Sequence, residues 1–158
     1  MTQVRRIGVT TGSREETEHV GELIGRAARA NDVVALWGEL GSGKTTLVRG
    51  IARGLGITER EVTSPTFVIV HEHDGGRLPL FHIDLYRLAP GDTPSTGWEE
   101  ALASGGLTAI EWPDRVERWL PADRLDVRLT TTGEEQRHLR FEPTGPRATR
   151  LRDAALPG

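Results

Sequence analysis

An unbroken apolar run, Val33-Val34-Ala35-Leu36-Trp37, leads directly into the glycine-rich stretch GELGSGKTT at 38–46. A run without polar alternation is the pattern of a strand buried on both faces, which belongs in a parallel sheet covered by helices. The residues after it, from 44 to about 55, read as a helix that Gly56 terminates. Gly38-x-x-x-x-Gly43-Lys44-Thr45 therefore lies between a buried strand and a helix start, where a phosphate-cradling loop has to lie. Glycines there let backbone N–H groups turn inward around a phosphate, and the helix adds the positive end of its dipole. Lys44 is the one lysine among 20 basic residues, the other 19 being arginine. A compact, flexible ammonium can reach between two phosphates from inside such a loop; a planar guanidinium cannot.

A length of 158 residues suits one domain with a real core. Aromatics make up 5% of the chain, so that core is expected to be mostly aliphatic. With no cysteine, disulfides, thiolate zinc sites and a cysteine nucleophile are excluded. The net charge of -3 argues against a broad autonomous nucleic-acid surface. No apolar run approaches a membrane span and the first residues lack a signal-peptide core, so a cytoplasmic protein is expected.

Strand and helix patterns alternate along the chain. A strand is expected at 4–11, and Ser13 is placed to cap a helix in which Val20, Leu23, Ile24, Ala27 and Ala28 recur at three/four spacing. Further strands are expected at 62–73 and 78–88 around the turn Asp74-Gly75-Gly76, and at 107–112. A Pro/Gly/Ser/Thr loop at 89–97 precedes a short helix, and 113–121 reads as a helix with proline in its first turn. Segments 124–132 and 137–143 are expected to form an antiparallel pair around 132–134. The expectation is a three-layer α/β fold of the P-loop NTPase type, with a mainly parallel central sheet and an antiparallel C-terminal extension. Residues 1–145 form its single domain, and 146–158 a flexible tail.

A P-loop needs an acid at the end of a neighbouring strand to serve a magnesium ion. Asp84 and Glu111 both end apolar strands, and parallel strands deliver their C-terminal ends to one edge. One acid can serve the metal while the other orients water; residue pattern alone leaves the roles interchangeable. Ser64-Pro65-Thr66 follows the first P-loop helix, where a switch segment that senses γ-phosphate is one reading and a plain loop-to-strand entry the other. His71, His73, His82 and Asp84 share two-residue spacing, so a strand-face metal site is one reading and ordinary strand polarity the other. Arg87 could meet phosphate or form a surface pair. No Asn-Lys-x-Asp element for guanine exists, leaving ATP with Mg²⁺ as the expected ligands.

Taken in order, GELGSGKTT, VTSPTF, HIDLYRL and IEWP resemble the bacterial TsaE (YjeE) family, the ATPase of tRNA threonylcarbamoyladenosine biosynthesis, over about residues 13–143. The resemblance implies partners TsaB and TsaD, with tRNA contacted indirectly. It implies phosphate contacts from Gly41, Ser42, Gly43, Lys44, Thr45 and Thr46, and magnesium positions at Thr45 and Glu111. It makes Asp84, with Lys44, the catalytic positions, and places Thr17 and Arg137 near the base or ribose. Two other functions fit a P-loop of this size: a nucleotide-dependent switch without essential catalysis, and a small-molecule kinase. The kinase is disfavoured because the only lid-sized loop, 89–97, carries no Arg or Lys.

Overall fold

The computed structural model describes residues 8–58, 70–86, 88 and 98–156. A seven-stranded sheet runs in the order β1-β7-β6-β2-β5-β4-β3. The strands are β1 (Gly8–Thr11), β2 (Val33–Trp37), β3 (Val70–His73), β4 (Leu80–Asp84), β5 (Leu107–Glu111), β6 (Leu125–Thr131) and β7 (Arg137–Pro143). The four central strands, β6-β2-β5-β4, are mutually parallel, while β7, β1 and β3 pair antiparallel at the edges. This is the α/β sheet expected from the sequence.

One sheet face carries α1 (Arg14–Ala27), α2 (Lys44–Leu55) and α4 (Pro146–Ala155) over a large aliphatic core that includes Ile24, Val34, Leu36, Leu47, Ile51 and Phe141. The other face carries α3 (Trp98–Leu102) and a 3-10 segment, Pro113–Trp119, over a smaller core of Val33, Phe81, Ile83, Ile110 and Val116. Ser13 caps α1 by accepting from Glu16 N at 3.2 Å. Gly56 ends α2 in the left-handed conformation, φ 85°. Helices α1 and α2 run side by side in the same direction and touch backbone to backbone. A Cβ on Gly21 would lie 2.2 Å from Leu47 O, and one on Gly50 would lie 1.9 Å from Glu18 O. The apolar spacing in α1 identifies its buried stripe but not this glycine contact, which a side chain of any size would force apart.

Two expectations are corrected. The segment after Trp112 is a kinked 3-10 turn rather than an α-helix, because Val116 leaves helical geometry (φ -131°, ψ 26°) to bury itself in the smaller core. Residues expected as a flexible tail form α4 over Pro146–Ala155, with Pro146 at its start. Ala148, Leu151 and Ala155 recur at three/four spacing and are buried against the main core. Asp123 accepts from the Arg147 and Ala148 backbone amides at 2.9 Å, satisfying the first turn of the helix. Arg150 closes a 2.8 Å ion pair with buried Asp32.

Candidate functional site

The C-terminal ends of β2, β5 and β4 lie next to one another, so everything placed there meets at one edge. Residues 38–43 leave β2 and turn into α2 through Gly43, whose φ of 103° favours glycine. With Gly43 as N-cap and no side chain capping it, the first-turn N–H groups of α2 remain oriented into the loop.

Lys44 opens α2 and is 5% exposed. Its ammonium donates to Gly38 O and, at 3.4 Å, to Glu39 O. It also lies 3.6 Å from the centroid of the Trp112 ring, a cation–π contact. Burial lowers the Lys44 pKa from the ordinary lysine value, while the carboxylates of Glu111, Asp84, Asp114 and Glu39 oppose that shift. The ammonium is thus held in a carboxylate-rich, partly desolvated corner. Trp112 adopts a left-handed backbone, φ 60° and ψ 50°, at a cost of about 1–3 kcal/mol for a residue with a side chain. Its ring also packs against Tyr86, centroids 5.0 Å apart. A residue in the left-handed region thus caps the loop lysine with its ring.

Thr45 Oγ1 donates to Oε1 and Oε2 of Glu111, each at 3.2 Å. Glu111 pairs in register with Leu36 on one side and Asp84 on the other, so it stands between the loop strand and the second acid. Asp84 accepts from Tyr86 N at 3.0 Å, which bends the chain away from β4. The residue pattern left these two acids interchangeable; strand order separates them, because β5 borders β2 and β4 does not.

Thr17 and Arg137 both lie against the loop: a Cβ on Gly43 would meet Thr17 Cγ2 at 3.7 Å and Arg137 Nε at 3.8 Å. Their polar atoms turn to the protein. Thr17 Oγ1 bonds Thr11 Oγ1 at 2.7 Å and is buried. The Arg137 guanidinium donates to the carbonyls of Ser42, Gly41, Gly133, Glu134 and Gln136, which clamps the loop to the β6–β7 hairpin. Ser42 is buried and Gly41 exposed, and Thr46 follows Thr45 in the first turn of α2, half-buried. Ser64, Pro65, Thr66 and Arg87 lie outside the described residues. Among the described residues no group of three His or acidic side chains is arranged to hold a metal, so the strand-face histidine reading gains no support. His82 turns instead to Glu111, Nε2 to Oε2 at 2.5 Å. Sequence reasoning missed this contact and the Trp112 cap. Two-residue spacing puts His82 on the face of Asp84, which was the available signal for the first.

Fold and loop together define a P-loop α/β protein of the NTPase class. Comparison with known proteins narrows the class. The family described as "Threonylcarbamoyl adenosine biosynthesis protein TsaE" matches residues 11–139, and the chain belongs to this family. The chain is 39% identical over 137 residues to a protein named "tRNA threonylcarbamoyladenosine biosynthesis protein TsaE" from Bacillus subtilis (strain 168), covering 87% of this chain and 85% of that one. A Nostoc protein of the same name is 39% identical over 147 residues, covering 90% of each chain. The crystal structure of Bacillus subtilis YdiB matches with a TM-score of 0.79 at 33% identity, covering 94% of this chain and 93% of that one. No described helix is long and apolar enough to cross a membrane.

Proposed function

We propose that this protein binds ATP with Mg²⁺ at the loop 38–43 and hydrolyses it slowly in support of threonylcarbamoyladenosine formation in tRNA, within a complex containing TsaB and TsaD. The observation that carries the reading is the bond between Thr45 at the start of α2 and Glu111 at the end of β5, beside the Lys44 ammonium. A hydroxyl and a carboxylate are the hard oxygen donors that Mg²⁺ prefers, so the residues present fit the ion. When bound, Mg²⁺ neutralises charge on the phosphate oxygens. The N–H groups of Gly41, Ser42, Gly43, Lys44, Thr45 and Thr46 receive the phosphates, and Lys44 exchanges its loop carbonyls and the Trp112 face for phosphate oxygens. Asp84, one strand further from β2 than Glu111, orients the attacking water.

Arg137, which lies against the loop, grips its carbonyls instead of facing the phosphate side. An arginine finger contributes about 10³–10⁵ in rate, so the isolated protein turns over slowly and a partner accelerates it. Titration with a fluorescent ATP analogue, and tRNA threonylcarbamoyladenosine content in cells depleted of the protein, test the two halves of the proposal. An absence of ATP binding sinks the first half; unchanged modification sinks the second. Turnover above about 10 s⁻¹ for the isolated protein contradicts the slow-hydrolysis reading.

The Trp112 cap on Lys44 favours a second reading, in which nucleotide occupancy is the signal and hydrolysis only resets it. Single-turnover hydrolysis with and without the partners separates the two: hydrolysis that partners leave unchanged favours the switch.

A further inference from the structure

We propose that His82 is a positioning residue that holds the Glu111 carboxylate in the orientation required to serve Mg²⁺. The inference rests on the ATP·Mg²⁺ reading given above. His82 lies in β4, fully buried, two residues before Asp84 and on the same strand face. It reaches across to the end of β5 and meets Glu111 Oε2 at 2.5 Å. Glu111 is itself 3% exposed. A carboxylate so far from water needs hydrogen-bond donors to remain in place.

Among the described residues two donors reach it, and they restrain it unequally. Thr45 shares one hydroxyl proton between both oxygens at 3.2 Å, a divided contact that leaves the carboxylate plane free to turn. The His82 bond engages Oε2 only, so it anchors that oxygen in one direction, while Oε1 has Thr45 as its donor. Acceptance by Glu111 assigns the proton to Nε2. His82 Nδ1 is buried with no hydrogen-bond partner among the described residues, so none of them competes for the ring. Across the β3–β4 ladder, His71 stands opposite His82, and its Nδ1 is likewise buried with no hydrogen-bond partner. The imidazole is therefore directed at a single target. When the Thr45 oxygen turns a lone pair to a metal ion, the His82 bond is the restraint that remains.

Outer partners of metal-binding carboxylates change metal affinity by about 10–100-fold when removed. The test measures affinity for a fluorescent ATP analogue in EDTA and across a Mg²⁺ series, for wild type, His82→Leu, His82→Gln and His82→Asn. Glutamine places an amide nitrogen where Nε2 stands, leucine removes the donor at similar volume, and asparagine is polar but too short. The expected result is a Mg²⁺ midpoint raised about 10–100-fold in His82→Leu and His82→Asn, near wild type in His82→Gln, with affinity in EDTA unchanged throughout. A merely structural histidine would alter thermal stability and EDTA affinity together and leave the Mg²⁺ midpoint alone. Should His82→Leu not fold, the contrast between the asparagine and glutamine variants decides by itself. Wild-type Mg²⁺ dependence retained in His82→Asn overturns the inference alone. Absence of Mg²⁺-dependent binding in the wild type overturns the ATP·Mg²⁺ reading and the inference with it.

Discussion

The parallel centre of the sheet and its antiparallel extension reach the same loop by different means. Strands β2, β5 and β4 point the same way, so Thr45, Glu111 and Asp84 collect where those strands end. The extension reverses direction at each strand, so β7 begins where β6 ends, beside the same edge. What it brings there is Arg137, whose guanidinium holds the loop from its carbonyl side. On the proposed function, the parallel strands thus contribute the groups that face a ligand, while the hairpin contributes a brace. Their outer surfaces differ as well. The smaller core covers Val33, Ile83 and Ile110 of the centre, whereas Arg128 and Arg140 of the extension stay largely exposed and pair with Glu142.

If that division is right, substitutions in the centre alter ligand chemistry and those in the extension alter loop geometry. Lys44→Arg is expected to have the largest effect, weakening ATP binding at least about 100-fold, or about 2.7 kcal/mol. The planar fork cannot occupy the corner bounded by Gly38 O, Glu39 O and the Trp112 ring. Near-native affinity in a direct titration would break the argument about the lone lysine.

The two acids come next. Asp84→Ala should lower single-turnover hydrolysis by about 10²–10⁴-fold while retaining ATP affinity, as a group acting on the attacking water would. Glu111→Ala should instead lose about 10–100-fold in Mg²⁺-dependent affinity, partly restored by higher Mg²⁺. Their register pairing means the two effects need not add. A magnesium-rescuable binding defect in Asp84→Ala, absent from Glu111→Ala, would reverse the assignment.

Arg137→Ala sharpens the comparison from the other side. It removes the loop brace without touching an acid, so ATP affinity should fall about tenfold, or about 1.4 kcal/mol, equally with and without Mg²⁺. A loss confined to Mg²⁺-containing conditions would mean that Arg137 faces the ligand. The smallest effect on binding belongs to Leu151→Ala in α4, which is fully buried in the main core. It should cost about 2–5 kcal/mol of stability by denaturant unfolding and leave ATP affinity unchanged at saturating fold.

The sequence by itself determined what depends on neighbours along the chain. The buried run of β2, the glycine turn, the start of α2 and its Gly56 stop are local patterns, and each appears where the spacing puts it. Alternation likewise placed β4 and β5 and left their two acids at matching strand ends. The three/four spacing of Ala148, Leu151 and Ala155 was also legible, yet a short segment rich in arginine reads as a tail until a core is present to cover it. Tertiary structure decided the rest. Strand order put Glu111, rather than Asp84, beside Thr45, and no local pattern encodes which strands become neighbours. The close crossing of α1 and α2 at Gly21 and Gly50, the grip of Arg137 on the loop, the Trp112 ring over Lys44 and the His82 bond to Glu111 all join residues distant in sequence. Such contacts depend on how whole elements pack, because a side chain's partner is set by the position of another backbone and not by its own neighbours.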